Sequence, residues 1–319
     1  IFVSAIEPEM IDPDLLGSYK SLVNKLDNVE AKALDYLVAF DLSEYQVGYT
    51  LGTDHPRIDW SPRVLEEVRD RSVEGPDGVG DWVPLVTTGM VNPAVEDMVI
   101  ATFTGGFKRD HGAMKWGNLA YKNHGTHYGF VENGVVFSKL NPGLATIYQT
   151  HNGEVEMRTW EESDNSLESK VLYARQNGVP IIEWDEATRT GIPGKLVRHW
   201  GPGNWSGSED SKLRTLRAGI CKAENGTRKF LIYGYFSSAT PSSMARVFQA
   251  YGCSYAMHMD MNALEHTYLA VYAREGKEMS VEHLITGMRV LDKQFKNHNV
   301  PRFIGFPDNR DFFYLYKRK

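Results

Sequence analysis

The chain has 319 residues, 42% of them hydrophobic and 24% charged, a globular composition that excludes intrinsic disorder and low-complexity function. Its 35 Lys and Arg against 41 Asp and Glu give a net charge of −6, so a nucleic-acid partner is not expected. No stretch approaches the ~18 apolar residues of a membrane span, and stable membrane insertion is not expected either.

Residues 8–35 read as helical. Asp12-Pro13 opens the stretch as cap and first-turn proline, and Leu15, Leu16, Tyr19, Leu22, Val23 and Leu26 come after it at helical spacing. Tyr36–Leu42 reads as a strand, and Gln46–Leu51 is expected to pair with it across a short polar turn. Pro62–Val73 reads as a helix and 74–81 as a Gly/Pro/Asp loop. From Val99 to Trp160 short apolar runs alternate with glycines. Glu132-Asn133-Gly134 and His151-Asn152-Gly153 mark hairpin turns there, because Asn-Gly accepts the left-handed backbone a tight hairpin needs. Residues 188–212 read as a long surface loop that Trp184, Trp200 and Trp205 flank. Strands are expected over Leu216–Lys222, Lys229–Tyr235 and Tyr255–Met261, with a helix from Thr240-Pro241 to Tyr251 and a last helix over Val281–Lys296. The order implies a single large α+β domain of mixed, mostly antiparallel sheets flanked by helices. Its parts are an N-terminal helical segment (1–35), the main body (36–275), and a C-terminal helix and tail (276–319) packed on the same domain.

Three stretches hold residues that a core does not need. In Thr104-Gly105-Gly106-Phe107-Lys108-Arg109-Asp110-His111 a Gly-Gly pair after an apolar strand permits close backbone approach, and Lys108 and His111 suit an anionic or sugar ligand. The same pattern fits a tight turn with solvated charges. In Tyr255–His266 strand alternation puts Met257, Met259 and Met261 on a core face, with His258, Asp260 and Asn262 opposite. Those types, with Glu265 and His266 nearby, suit acid/base chemistry and hydroxyl recognition. In Arg214–Ile220, Arg217 enters an apolar strand, where a guanidinium must be paired or face a cleft. His124 and His127 sit three apart in a Gly-containing loop, as a ligand-contact or structural pair. His111, His124, His127 and His266 match no specific metal motif, so no metal and no cofactor is assigned. Cys221 and Cys253 fit either one bridge or two buried thiols, and they are expected to lie near one another.

In this order the stretches 37–56, 101–112, 143–160, 174–183, 216–221 and 251–262 resemble the phosphodiester glycosidase family, the family of the lysosomal enzyme that uncovers mannose-6-phosphate, and in particular its bacterial branch. The resemblance covers about residues 36–275. It implies an α+β fold, export to a periplasmic or extracellular space, and action on a glycan or sugar phosphate. Gly105, Gly106, Arg217 and Asp260 carry the matched positions. Thr104 stands where the family commonly has Asn, and Met261-Asn262-Ala263-Leu264 where many members have Gly-Gly-Gly-Ser.

The resulting expectation is an exported hydrolase of a glycosidic or sugar-phosphodiester linkage. Asp260 is its carboxylate, ionised by contact with Arg217, and Glu265 is a partner acid. Arg217 binds an anionic group, and His258 shuttles protons or binds a hydroxyl. Gly105, Gly106, Lys108, His111, Asn262, His266 and His127 are expected at the substrate. The alternative is a non-catalytic carbohydrate-binding or cell-envelope assembly protein that uses the same cleft.

Overall fold

The structure is a computed structural model and describes residues 1–54, 65–69, 88–108, 111–112, 121, 128–199, 210–276, 278–296 and 298–318. Every strand pairing among these residues is antiparallel. The first sheet runs β1 (Phe2–Ile6), β2 (Asp35–Asp41), β13 (Arg228–Ala239), β12 (Thr215–Asn225), β14 (Cys253–Met261), β10 (Pro180–Asp185) and β11 (Thr190–Pro193). The second runs β16 (Glu278–His283), β15 (Leu269–Glu275), β4 (Val99–Thr104), β19 (Phe312–Lys317) and β3 (Tyr45–Thr50). The third runs β6 (Val135–Ser138), β5 (Phe130–Glu132), β9 (Val171–Gln176), β7 (Ala145–Thr150) and β8 (Val155–Thr159). A small hairpin, β17 (Lys293–Phe295) and β18 (His298–Val300), stands apart from them.

One core joins the three sheets. Phe40, Ile220, Tyr233 and Met257 of the first meet Phe103, Leu269 and Phe313 of the second and Phe130, Ile147 and Tyr173 of the third. Met244, Val247 and Phe248 of one ten-residue helix (Pro241–Ala250) cover the other face of the first sheet, over Cys221, Phe236 and Ala256. Thr240 caps that helix by accepting from the Ser243 N–H at 3.3 Å, and Pro241 fills its first turn. The architecture is the single α+β domain of mostly antiparallel sheets that the alternation predicts.

Four expectations are corrected. Residues 8–35 contain one short α-helix, α1 (Pro13–Gly17), and two three-residue 3₁₀ turns (Pro8–Met10 and Glu30–Lys32), although Asp12 caps α1 as expected through the Asp14 N–H at 2.7 Å. Past α1, Arg246 takes the carbonyls of Leu15, Leu16 and Ser18, the acceptors a continuing helix would use. Strands β2 and β3 are neighbours in sequence but lie in different sheets, with β3 paired to β19. Residues 281–296 are not one helix: Glu278–His283 pairs with β15, Thr286–Leu291 is a short 3₁₀ helix, and Lys293–Phe295 is strand β17, followed by the left-handed Lys296 (φ 46°). Within the expected 188–212 loop, Thr190–Pro193 is a strand. Most of the expected helix 62–73 lies outside the described residues, with a single 3₁₀ turn (Glu66–Val68) inside them.

Cys221 and Cys253, on neighbouring strands, form a disulfide with Cα atoms 5.8 Å apart. It closes a loop of 32 residues, which constrains the unfolded chain by about 3–4 kcal/mol. Replacing both cysteines by Ala is expected to lower the thermal unfolding midpoint by roughly 5 °C. A scanning calorimetry trace that matches the parent would show that the bridge adds no stability.

Candidate functional site

Asp260 lies near the C-terminal end of β14. The ladder to β12 pairs Gly219 with His258 but Arg217 with Met261, so β14 carries one extra residue there. This bulge breaks the expected alternation. His258 turns toward Arg217, whose guanidinium lies 3.0 Å from its ring, while Asp260 turns toward Arg310. Strand β14 ends at Met261, and Asn262 leaves it with φ 79°. Asn262 is therefore an exposed turn residue, held by its N–H to the Leu216 carbonyl at 2.8 Å, and does not share a face with Asp260.

The turn after β14 carries Glu265 and His266. Thr104 donates its hydroxyl to the Glu265 carbonyl at 3.2 Å, and Arg302 donates to the same oxygen at 2.7 Å. The Glu265 backbone is thus fixed from two elements. Arg310, buried just before β19, contacts both carboxylates: Nη1 meets Asp260 Oδ2, and Nη2 lies 3.5 Å from Glu265 Oε1. His266 closes the ring. Its Nδ1 bonds the Met261 carbonyl and lies 3.9 Å from Asp260 Oδ1, and its Nε2 is 2.9 Å from Glu265 Oε1. Two carboxylates on one guanidinium stand no farther apart than the upper end of the ~5–10 Å that separates glycosidase acid pairs.

Their environments push them in opposite directions. Burial raises the Asp260 carboxyl above its ordinary range, against Arg310, His266 and the Met261 N–H, which lower it. Burial also raises Glu265, but it is half exposed, and Arg310 and His266 bring it below its ordinary range. A pocket of about 380 Å³ opens beside the pair, lined by Glu265, Arg310, Lys108, Lys293, Arg302 and Asp308. The Lys108 ammonium is 3.7 Å from Asp54, and Arg302 is paired with Asp308 at 2.7 Å.

Gly105 and Gly106 do not line this pocket and pack against the protein's own side chains. A Cβ on Gly105 would stand 2.1 Å from Asp311 Oδ2, and one on Gly106 would stand 2.6 Å from Asn177 Oδ1 and 2.8 Å from the Arg175 guanidinium. These contacts form a buried hub. Arg175 holds Asp311 through two bonds of 2.8 and 3.2 Å and donates to the Phe107 carbonyl at 2.6 Å. Asn177 accepts from the Phe107 N–H at 3.0 Å and donates to the carbonyls of His258 and Met259, each at 2.7 Å. Gln176 ties Asn141, Thr146 and Gly129 together. The Gly-Gly step thus locks β4 to β9, β14 and β19. Gly106→Ala is expected to cost about 1–3 kcal/mol, the usual penalty for overpacking, read as a lower urea midpoint. A midpoint equal to the parent's would mean that the hub tolerates the extra methyl.

Arg217 does not contact Asp260. It is fully buried and donates to the carbonyls of Ala239 at 2.8 Å and Leu213 at 2.7 Å, besides His258. Burial lowers its pKa to about 9, against Glu30 and Asp210. Burial and Arg217 hold His258 well below its ordinary range. Its Nδ1 donates to the Met259 carbonyl, so Nε2 is the acceptor for Arg217, and the neutral ring is fixed within the fold. Neither Arg217 nor His258 lines the pocket beside Glu265. His111 is half-buried in the turn after Lys108, its N–H on the Lys108 carbonyl at 2.9 Å. His127, like His124 and Arg109, lies outside the described residues. Among the described residues no three His, Cys, Asp or Glu side chains group as a metal site. A larger cavity of about 840 Å³ lies against the N-terminal segment, but its Arg246 is occupied with backbone carbonyls and it does not reach Asp260.

Of the residues the sequence singles out, the structure groups Asp260, Glu265, His266 and Lys108 beside Arg310, which sequence reasoning passes over together with Asp311, Arg302 and Asp308. The run Asp308-Asn309-Arg310-Asp311 enters the apolar strand Phe312–Lys317 as Arg217 enters β12, so the rule that singles out Arg217 applies equally here.

No protein-family model and no curated protein matches the chain. Among solved structures, the catalytic domain of zebrafish N-acetylglucosamine-1-phosphodiester α-N-acetylglucosaminidase, auto-inhibited by its pro-peptide, is similar with a TM-score of 0.47 and 9% identity, over 99% of this chain and 82% of that one. A hypothetical protein from Synechocystis is similar with a TM-score of 0.39 and 11% identity, over 93% of this chain and 61% of that one. Neither superposition is close enough to transfer a residue's role, and the chain's chemistry is read from its own side chains.

Proposed function

We propose that the chain is an exported glycan-active hydrolase that cleaves a glycosidic or sugar-phosphodiester linkage at the anomeric carbon, with Glu265 and Asp260 as its carboxyl pair. The observation that carries this reading is one guanidinium, Arg310, between two carboxyls whose pKa values are driven apart. Opposed shifts in a pair of acids mark which holds a proton and which is ionised. Glu265 faces the pocket as the ionised group and takes a proton from the water that bonds to the anomeric carbon, or attacks that carbon itself to give a glycosyl ester that water then hydrolyses. Asp260 is the proton-holding group and is tied to Glu265 through the shared Arg310 guanidinium. The bond from the anomeric carbon to the leaving oxygen breaks, and the leaving group departs as phosphate or alcohol. A phosphate leaves with little help from an acid, and Lys108, Arg310 and Lys293 supply positive charge beside it. The anion-binding role expected of Arg217 passes to these residues. The Cys221–Cys253 bridge supports an oxidising compartment. Among the described residues no helix is long and apolar enough to cross a membrane.

A second reading, a carbohydrate-binding or envelope-assembly protein, is favoured by the burial of Asp260. At 2% exposure it leaves Glu265 as the member of the pair that opens to the pocket. The test is sugar release from UDP-N-acetylglucosamine and from p-nitrophenyl N-acetylglucosaminide. Release by the parent that Glu265→Gln abolishes supports hydrolysis. Binding of either compound without release supports the second reading.

A further inference from the structure

We propose a second ligand site, for a neutral oligosaccharide, in the groove where the edge strand β8 of the third sheet crosses the first sheet. The groove holds about 460 Å³, within the ~300–1,000 Å³ typical of small-molecule sites. At its wall stands Trp184, 45% exposed. The residue directly opposite on β11 is Gly191, whose Cβ position is taken by the Cys253 carbonyl at 1.9 Å. No side chain fits there, so the strand partner leaves the indole uncovered. A flat, electron-rich indole face attracts the partly positive C–H bonds on the face of a pyranose ring.

The rim selects for a neutral ligand. Arg158 is paired with Asp164 at 3.0 Å, and Lys222 with Glu156 at 3.0 Å, so both cations are already balanced. Glu183 and Glu224 add carboxylate acceptors for hydroxyl groups and disfavour phosphate or uronate. Tyr255 and Thr159 share a hydroxyl–hydroxyl contact of 3.0 Å that closes the floor. A protein partner would be met by an apolar patch around the Trp, whereas this ring is bounded by charged and hydroxyl groups.

The groove lies at the Ser254–Tyr255 end of β14 and Asp260 at the other. Asp260 lies five residue steps along the strand from Tyr255, roughly 17 Å at ~3.3 Å per residue. The site therefore stands apart from the Asp260 pocket and does not depend on the reading of that pocket.

The test is isothermal titration of the full-length protein with malto-, cello-, chito-, manno- and laminarihexaose. Three variants accompany the parent: Trp184→Ala, Trp184→Phe and Glu265→Gln. At least one hexaose is expected to bind. Its affinity should fall at least 10-fold in Trp184→Ala, recover partly in Trp184→Phe, and stay unchanged in Glu265→Gln. Circular dichroism of Trp184→Ala should match the parent, since the ring is exposed. The proposal is overturned if no hexaose binds, if Trp184→Ala binds as well as the parent, or if Glu265→Gln and not Trp184→Ala loses affinity. Loss of self-association in Trp184→Ala without loss of sugar binding would also overturn it, and would make the groove a protein interface.

Discussion

Glu265→Gln is expected to lower turnover of a sugar phosphodiester at least ~100-fold, the low end for losing a general acid or base, while moving the unfolding midpoint little. The small effect on stability comes from exposure. The Glu265 side chain is half in water, and its backbone, not its carboxylate, is what Thr104 and Arg302 hold. Asp260→Asn is expected to lose comparable turnover and also stability. Its carboxyl is buried and accepts from the Arg310 guanidinium and the Met261 N–H, and leaving such buried donors poorly satisfied costs about 1–3 kcal/mol. Turnover must therefore be scaled to the folded fraction for Asp260→Asn, while Glu265→Gln reports on chemistry alone. A folded Glu265→Gln protein with parental turnover removes Glu265 from the mechanism.

Asp35→Asn is expected to stabilise the protein at pH 8 by roughly 2–5 kcal/mol and to leave it nearly unchanged at pH 4. Asp35 is fully buried on β2, with one oxygen accepting from the Ser237 N–H at 3.0 Å and the other without a hydrogen-bond partner. Burial pushes its carboxyl up to about 8, with Glu30 adding to the rise and the Ser237 bond opposing it. The folded pKa is raised, so the folded chain holds a proton that the unfolded chain releases near pH 3.8. The stabilising contribution is whole below pH 3.8 and is lost as pH rises to about 8, at up to ~1.4 kcal/mol per pH unit. Asn carries no such proton, so its urea midpoint should lose this slope. Parallel pH profiles for parent and variant would show that Asp35 ionises normally in the fold.

The strands are legible because antiparallel sheets alternate and their turns need particular residues. Asn133 and Gly134 take φ of 51° and 78°, the left-handed pair that Asn-Gly announces. The expected final helix fails although Val281, Leu284, Ile285, Met288 and Leu291 match a helical spacing, and only a short 3₁₀ helix (Thr286–Leu291) forms there. The competing signal is present: Glu278–His283 alternates exposed and half-buried residues with period two, as β16 requires. Residues 8–35 mislead for a different reason. Their apolar side chains are spaced for a helix, but Arg246, more than 220 residues away, takes the carbonyls. No local pattern encodes that contact.

The site divides along the same line. Asp260, Glu265 and His266 are close in sequence, so their shared turn is visible there. What organises them is not local: Arg310 lies 50 residues from Asp260 and reaches it only because β19 inserts between β3 and β4. The expected contact between Arg217 and Asp260 fails at a bulge. One extra residue in β14 sends His258 to Arg217 and Asp260 to Arg310, and strict alternation cannot anticipate an insertion of one. Gly105-Gly106 is a point of close approach, as its sequence implies, but what approaches is Asp311, Asn177 and Arg175.

The opposed carboxyls are tested most directly by the pH dependence of kcat/KM for UDP-N-acetylglucosamine hydrolysis, measured on the parent, Asp260→Asn and Glu265→Gln. The expected parent profile is a bell. Its acid limb reflects protonation of Glu265, held low by Arg310 and His266, and its alkaline limb reflects proton loss from Asp260, held high by burial. The residual rate of Asp260→Asn should lack the alkaline limb, and Glu265→Gln should fall at least ~100-fold across the range. A parental rate independent of pH, or a bell that survives in both variants, would contradict the assignment of the pair.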